Sequence, residues 1–355
     1  MDAVCYIHAA DLHLDSPFGG FSEEASRFLR QAQAAIPQLL ADCCRSQGAE
    51  LLLLAGDVFD GPYRRETAVA LAQNLEECAV PVFIAPGNHD YLSPDSPWER
   101  ENWPSNVHIF RGNLSYVDLP ELETRVYGGG YTAMDCPGLL EGFRAQRVYP
   151  HTVGVLHGDA TQAKSPYCPV TAPQIAASGL DYLALGHIHQ AGSLRSGSTL
   201  CAWPGCPMGR GWDETGAKGI LKVTLEQSPK VTPIPLGLPR FQAETVSIEE
   251  PEALDGLLPA VPSEDFYRIT LTGSGAVSIP GLLQKYARFP HLEFRDRTRP
   301  KEDVWTRAGQ DSFQGVFFQL LSQAKQEADA TEREKIDLAA ELTRKILDGE
   351  EVALP

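Results

Sequence analysis

Residues 51–57 read Leu-Leu-Leu-Leu-Ala-Gly-Asp: an apolar run of strand length that stops at a glycine and delivers a carboxylate. The construction recurs along the first 190 residues. The run at 3–7 leads through His8 and two alanines into Asp11-Leu12-His13, and the run at 80–85 into Gly87-Asn88-His89-Asp90. The run at 151–156 enters His157-Gly158-Asp159, and that at 180–185 enters Gly186-His187-Ile188-His189. A further apolar run lies at 107–110. Between the first two runs, 22–47 has the length and periodicity of one helix, with Ser22 as N-cap and Phe28, Leu29, Ile36, Leu39 and Leu40 on one side. A second helix fits Arg65 to Glu77. Strands alternating with helices predict an α/β layered domain. Hairpin patterns at 192–202, turning at 195–198, and at 219–225 with 231–236 predict a second sheet.

Five runs that each end in Asp, Asn or His place those groups where an α/β sheet presents its ligand-binding residues. Imidazole, carboxylate and an amide oxygen without thiolate suit Mn, Fe or Zn. Asp11 with His13, and His187 with His189, are i, i+2 pairs, which in extended chain point to one side. Glycines beside Asp57, Asn88 and His187 fit tight turns and close approach. Seven or eight such donors exceed the needs of one ion, so two ions sharing a carboxylate fit the count better.

The set D-x-H, G-D, G-N-H-D, a later His and G-H-x-H resembles the calcineurin-like metallophosphoesterases over about residues 3–240. The segments from Ile7 to Phe18 and from Leu54 to Asp60 resemble the SbcD-like and YhaO-like exonuclease branch of that family. The resemblance implies a four-layered α/β/β/α catalytic domain, 1–240, with two packed mixed sheets flanked by helices. A small α+β capping domain, 241–355, would follow. Asp11, His13 and His189 would hold one metal, Asn88, His157 and His187 the other, and Asp57 would bridge. The implied cofactors are two divalent ions, most readily Mn2+, with Fe2+ or Zn2+ as alternatives. A hydroxide bridging them would attack the phosphorus in line, with His89 assisting the leaving oxygen and Asp90 orienting His89. Two ions with Asp11, Asp57 and one hydroxide leave the site at about +1, able to hold an anionic phosphoester. The branch further implies a Mn-dependent DNA exonuclease or endonuclease, a coiled-coil ATPase partner of SbcC or YhaN type, and a homodimer in many members. A phosphatase or phosphodiesterase for small molecules or phosphoproteins shares the same metal residues. A non-catalytic DNA-binding scaffold is the reading from another class, and the complete ligand set argues against it.

Nearby residues carry weaker signals. Arg210 and Lys218, after the last ligand pair, are candidates for steering phosphate. Asp15, Asp60 and Asp159 either fix ligand imidazoles or cap loops. His8 reads as core or surface, and His108, His151 and His291 as structural or exposed.

The remaining features bound the problem. At 355 residues with 43 % apolar and 22 % charged, the chain is globular and long enough for about two domains. A net charge of −17 argues against nucleic-acid or membrane binding by bulk positive charge, though not against a local groove. The eight cysteines contain no C-x-x-C and read as thiols in a reducing cytosol. The first residues lack a basic stretch followed by an apolar one, and no apolar run approaches membrane-span length, so the expected location is cytoplasmic and off the membrane. No G-x-x-x-x-G-K-[ST] occurs, so the chain brings no P-loop of its own. Beyond 240, strands at 266–272 and 291–294, a helix at 279–286 and one or two helices over 312–347 are expected. The last helices either pack on their own domain or dock a partner. Lys285, Arg288, Arg295, Arg297, Arg299, Lys301 and Arg307 form either a phosphate-contacting surface or, with Glu293, Asp296, Glu302 and Asp303, a solvated mixed-charge face.

Overall fold

The computed structural model describes residues 3–249, 251–261, 263–299 and 303–349; Lys301 and Glu302 lie outside them. Two compact units are present, one of Met1–Ala243, Ser263–Arg268 and Phe289–His291, the other of Glu244–Pro262, Ile269–Arg288 and Leu292–Pro355.

In the first unit the strands are β1 (Val4–Ala9), β2 (Leu51–Leu54), β3 (Val82–Ile84), β4 (Val107–Ile109), β5 (Ser115–Leu119), β6 (Thr124–Gly128), β7 (His151–His157), β8 (Tyr182–Gly186), β9 (Gly192–Ser196), β10 (Thr199–Trp203), β11 (Ile220–Leu225) and β12 (Pro229–Ile234). Among the described residues they form two six-stranded mixed sheets, ordered β12-β11-β1-β2-β3-β4 and β5-β6-β7-β8-β10-β9. The helices are α1 (Glu23–Ala34), α2 (Ile36–Gln47), α3 (Arg65–Glu77), α4 (Pro97–Arg100) and α5 (Ala172–Ala177).

Strand periodicity assigns the layers. Alternate side chains of a strand face opposite ways, so Ile7, Leu52 and Leu54 pack against Leu29, Leu40, Leu71 and Leu75 of the helices. Tyr6, Leu51, Leu53 and Phe83 face Val153, Val155, Tyr182 and Ala184 of the second sheet. The outer face of that sheet is covered by Ile175 and Leu180. All four leucines of β2 are buried, each contributing roughly 1.5–3 kcal/mol through apolar area removed from water. The result is α/β/β/α layering, as the sequence implies. His8 falls in the inter-sheet layer, its ring 2.8 Å from the Tyr182 hydroxyl and 3.1 Å from the Leu185 carbonyl.

One expected element divides. The single helix read over 22–47 is α1 and α2, because Pro37 lacks an N–H and its ring clashes with the carbonyl four residues back; the chain restarts there with the proline in the first turn of α2. Ser22 caps α1 by accepting from Ala25 N. Helix α3 spans the expected residues, whereas edge strand β5 and the short α5 go beyond the sequence reading.

The second unit carries most of a three-stranded sheet, β13 (Phe241–Ser247), β14 (Phe266–Thr272) and β15 (Leu292–Asp296), in that order. Helices α6 (Pro251–Leu257), α7 (Ile279–Lys285), α8 (Phe313–Glu327) and α9 (Ala330–Leu347) accompany it. Phe318 of α8 and Ala340 of α9 share a small core with Val304. Lys285, Arg295 and Arg307 are paired with Asp255, Glu293 and Asp348. None of the described helices is long and apolar enough to cross a membrane.

Candidate metal centre

The parallel core strands β1, β2, β7 and β8, with β3, end on one edge, and the loops leaving that edge carry the polar residues. These loops are not extended. Asp11 (φ 52°), His13 (φ 44°), Asp57 (φ 49°) and His187 (φ 92°) occupy the left-handed region, unusual for residues with a Cβ. The expected same-side convergence of the i, i+2 pairs therefore arises from tight left-handed turns, not from strand alternation. Such strain persists only where surroundings over-determine it. Here Asp11 N donates to the Gly56 carbonyl at 3.0 Å and His13 N to the Asp57 carbonyl at 3.0 Å, locking the first loop to the second. Gly87 has a clear purpose: a Cβ there would collide with the Asp57 carboxylate.

Three groups of donors come together: Asp11, His13 and His189; His13, Asp57 and His89; Asp11, Asp57 and His157. On one side, His13 Nε2 and His189 Nε2 are 3.1 Å apart. The opposite nitrogen of each ring faces a carboxylate, His13 Nδ1 at 3.1 Å from Asp60 and His189 Nδ1 at 2.7 Å from Glu214. Donating those N–H groups leaves two bare Nε2 lone pairs facing each other, an arrangement satisfied by a cation between them. On the other side, His157 Nδ1 donates to the Ala55 carbonyl at 2.9 Å, so its Nε2 lone pair meets Asn88 Oδ1 at 3.0 Å and Asp57 Oδ2 at 3.3 Å. With the ring neutral, three acceptors converge there with no proton among them. Asp57 Oδ2 also lies 3.8 Å from His13 Nε2, so this carboxylate stands between the two clusters. His187 joins none of these three groups; its ring lies edge-on to His157 at 5.2 Å and tilted over Tyr167 at 4.9 Å, while its backbone N–H donates to Asp11. The residues present fit two divalent cations.

Electrostatics agree. Burial opposes charging His157, yet Asp57 and Asp11 outweigh it and push its pKa up to about 9. The field that draws a proton there would equally draw a metal ion. His13 and His187, by contrast, are lowered chiefly by burial.

His89 differs from its neighbours in being 40 % exposed. Its Nδ1 lies 3.1 Å from Asp60 Oδ1, and that hydrogen bond raises its pKa. Asp90, expected as its orienting partner, is occupied elsewhere. One carboxylate oxygen accepts from Gly87 N at 2.7 Å and the other from Val58 N at 2.7 Å and Phe59 N at 3.3 Å. Burial and the nearby Asp57 push Asp90 up to about 7. Asp90 thus ties together the Asp57 and Asn88 loops, and Asp60 takes the orienting position, serving His13 and His89 with one oxygen.

Arg210, expected at a phosphate, spends its guanidinium inside the protein, on Glu214 at 2.8 Å and Asp60 at 3.3 Å. Lys218 Nζ donates to the His189 carbonyl at 3.0 Å. Asp15 accepts from Arg64 and Thr67 near the start of α3, and Asp159 from Thr161 and Gln162, so both organise loops. Glu214 is missed by sequence reasoning: its only signal is the i, i+4 spacing from Arg210. Tyr167 carries none.

The calcineurin-like phosphoesterase family profile matches residues 6–191. Over 237 residues the chain is 35 % identical to an uncharacterized metallophosphoesterase, YhaO, of Bacillus subtilis, covering 62 % of this chain and 57 % of that protein. Over 218 residues it is 25 % identical to the DNA double-strand break repair protein Mre11 of Aeropyrum pernix, covering 56 % and 52 %. The chain thus spans about half the length of the curated relatives it matches. A dimetal phosphatase from Danio rerio, 13 % identical, aligns over 65 % of this chain and 98 % of its own with a TM-score of 0.44. The chain belongs to the calcineurin-like phosphoesterase family.

Proposed function

We propose that the chain is the catalytic subunit of a metal-dependent DNA nuclease, hydrolysing phosphodiesters at two divalent ions, Mn2+ foremost. The observation that carries the phosphodiesterase reading is the pair of lone-pair clusters flanking Asp57, with a half-exposed imidazole beside them. Asp11, His13 and His189 would hold one ion, Asn88 and His157 the other with His187 from the adjoining loop, and Asp57 would serve both. When bound, the ions supply an activated water and neutralise charge on the phosphorus oxygens. His89, protonated and oriented by Asp60, gives its proton to the departing alkoxide. Asp90 acts on the backbone that carries His89 and Asn88. Arg210 and Lys218 hold the loop that carries His189.

Similarity to a protein named for DNA double-strand break repair favours DNA over a small ester. The catalytic domain is taken as 1–240, with 241–355 as a cap. A coiled-coil ATPase is the proposed partner: the chain has no P-loop, and α8 exposes Phe313, Val316 and Leu320 at i, i+3 and i+7.

The test is incubation of end-labelled single- and double-stranded DNA, beside a small phosphodiester, with Mn2+, Mg2+ or EDTA. Metal-dependent DNA cleavage falling about 10²–10⁴-fold in His89→Ala is expected. Hydrolysis of the small ester alone, with the ATPase present, would overturn the nuclease reading.

A further inference from the structure

A cavity of about 560 Å³ is lined at one part by Asn88, His89 and Asp90. Tyr63, Tyr91 and Met134 line it. Met134 is 58 % exposed and adds an apolar side chain to the cavity lining. Tyr63 is held in place, its hydroxyl donating to Glu101 at 2.9 Å and its ring tilted against Phe59. Ser96 lines the same cavity, is only 5 % exposed, and its hydroxyl has no hydrogen-bond partner among the described residues. A buried hydroxyl left unsatisfied costs about 1–3 kcal/mol, so the position is one that a ligand would complete.

The chemistry of the lining selects the ligand. Its carboxylates are Asp90 and Asp95, and it contains no lysine or arginine, so a second phosphate is disfavoured. Two tyrosine rings, a polarisable thioether and the hydroxyls of Ser93 and Ser96 suit a flat neutral ring with polar edges. Because His89 serves the departing oxygen, whatever carries that oxygen lies on the His89 side. From this we infer that the cavity is a subsite for the leaving nucleoside, its base packed on Tyr63, Tyr91 and Met134 and hydrogen-bonded to Ser96. The inference rests on the nuclease reading and gives it a base-binding component that recognises any base rather than a sequence.

The test compares cleavage of oligonucleotides carrying a normal residue or a tetrahydrofuran abasic residue on each side of the scissile phosphate, the leaving side being identified from the product ends. Wild-type protein with Mn2+ is expected to favour the base-bearing leaving side by about tenfold in kcat/KM. Tyr91→Ala, Met134→Ala and Ser96→Ala are expected to shrink that ratio. Ser96→Ala removes no internal hydrogen bond and Met134 is exposed, so both variants should keep the wild-type melting temperature. In a His89→Ala background, 2-aminopurine on the leaving side should be quenched on binding, and the quenching lost with Tyr91→Ala. Equal cleavage of base-bearing and abasic substrates by wild type, or ratios unmoved in all three variants, would overturn the subsite while leaving the nuclease standing. Failure of wild type to cut any DNA would overturn the nuclease reading and the subsite with it.

Discussion

The two halves of the candidate metal centre are built differently. His13 and His189 are held from behind by carboxylates, Asp60 and Glu214, with Arg210 reaching both. His157 is held by a main-chain carbonyl, Ala55, and a Cβ on neighbouring Gly56 would collide with its ring. A carboxylate behind an imidazole strengthens the donor and fixes its tautomer, but depends on side chains drawn from loops far apart. A carbonyl behind an imidazole is written into the strand end, and no side-chain substitution removes it. One half can therefore be tuned by single substitutions, and the other is rigid.

The sharpest way to break this division is to remove what the halves share. Asp57→Asn is expected to abolish activity and to lower bound Mn from about two ions per chain to one or fewer, measured by mass spectrometry of metal content. Retention of both ions would show that the two clusters bind independently. A smaller effect separates the halves: Glu214→Gln should weaken one ion by about 10–100-fold and leave the other near its wild-type affinity in calorimetric titration. Equal weakening of both would erase the distinction.

Asp60 sharpens the comparison because it serves His13 and His89 together. Its hydrogen bond raises the His89 pKa, so the protonated form persists above the ordinary imidazole value of about 6.5 and activity falls only as pH rises through the raised value. Asp60→Asn should move that alkaline limb of the kcat profile to lower pH. An unmoved limb would assign the proton to another group.

The smallest effect concerns stability. His8, in the layer between the sheets, is lowered by burial to about 3. The unfolded chain binds a proton near pH 6.5 that the folded one refuses, so this contribution is complete above 6.5 and is lost as pH falls toward 3. It amounts to a few kcal/mol at most. Urea midpoints of wild type and His8→Asn should differ most near neutral pH and converge toward pH 4. Parallel curves would show that His8 is not the titrating group.

The layered fold and the strand-end placement of the candidate ligands were legible in the sequence for one reason. Apolar runs are local signals, and an α/β sheet presents its polar residues at strand ends, so Asp11, Asp57, Asn88, His157 and His187 could be placed from neighbours alone. The break at Pro37 is equally local, but the apolar period runs across it and masks it. What only the tertiary structure decided is which group stands behind which. Asp90, adjacent to His89 in sequence, turns to the backbone of Gly87, Val58 and Phe59, while Asp60, from another loop, takes the imidazole. Glu214 reaches His189 across 25 residues, and Arg210 reaches Asp60 across 150. A hydrogen bond depends on distance and angle in space, and loop side chains acquire these only after strands distant in sequence have paired beneath them.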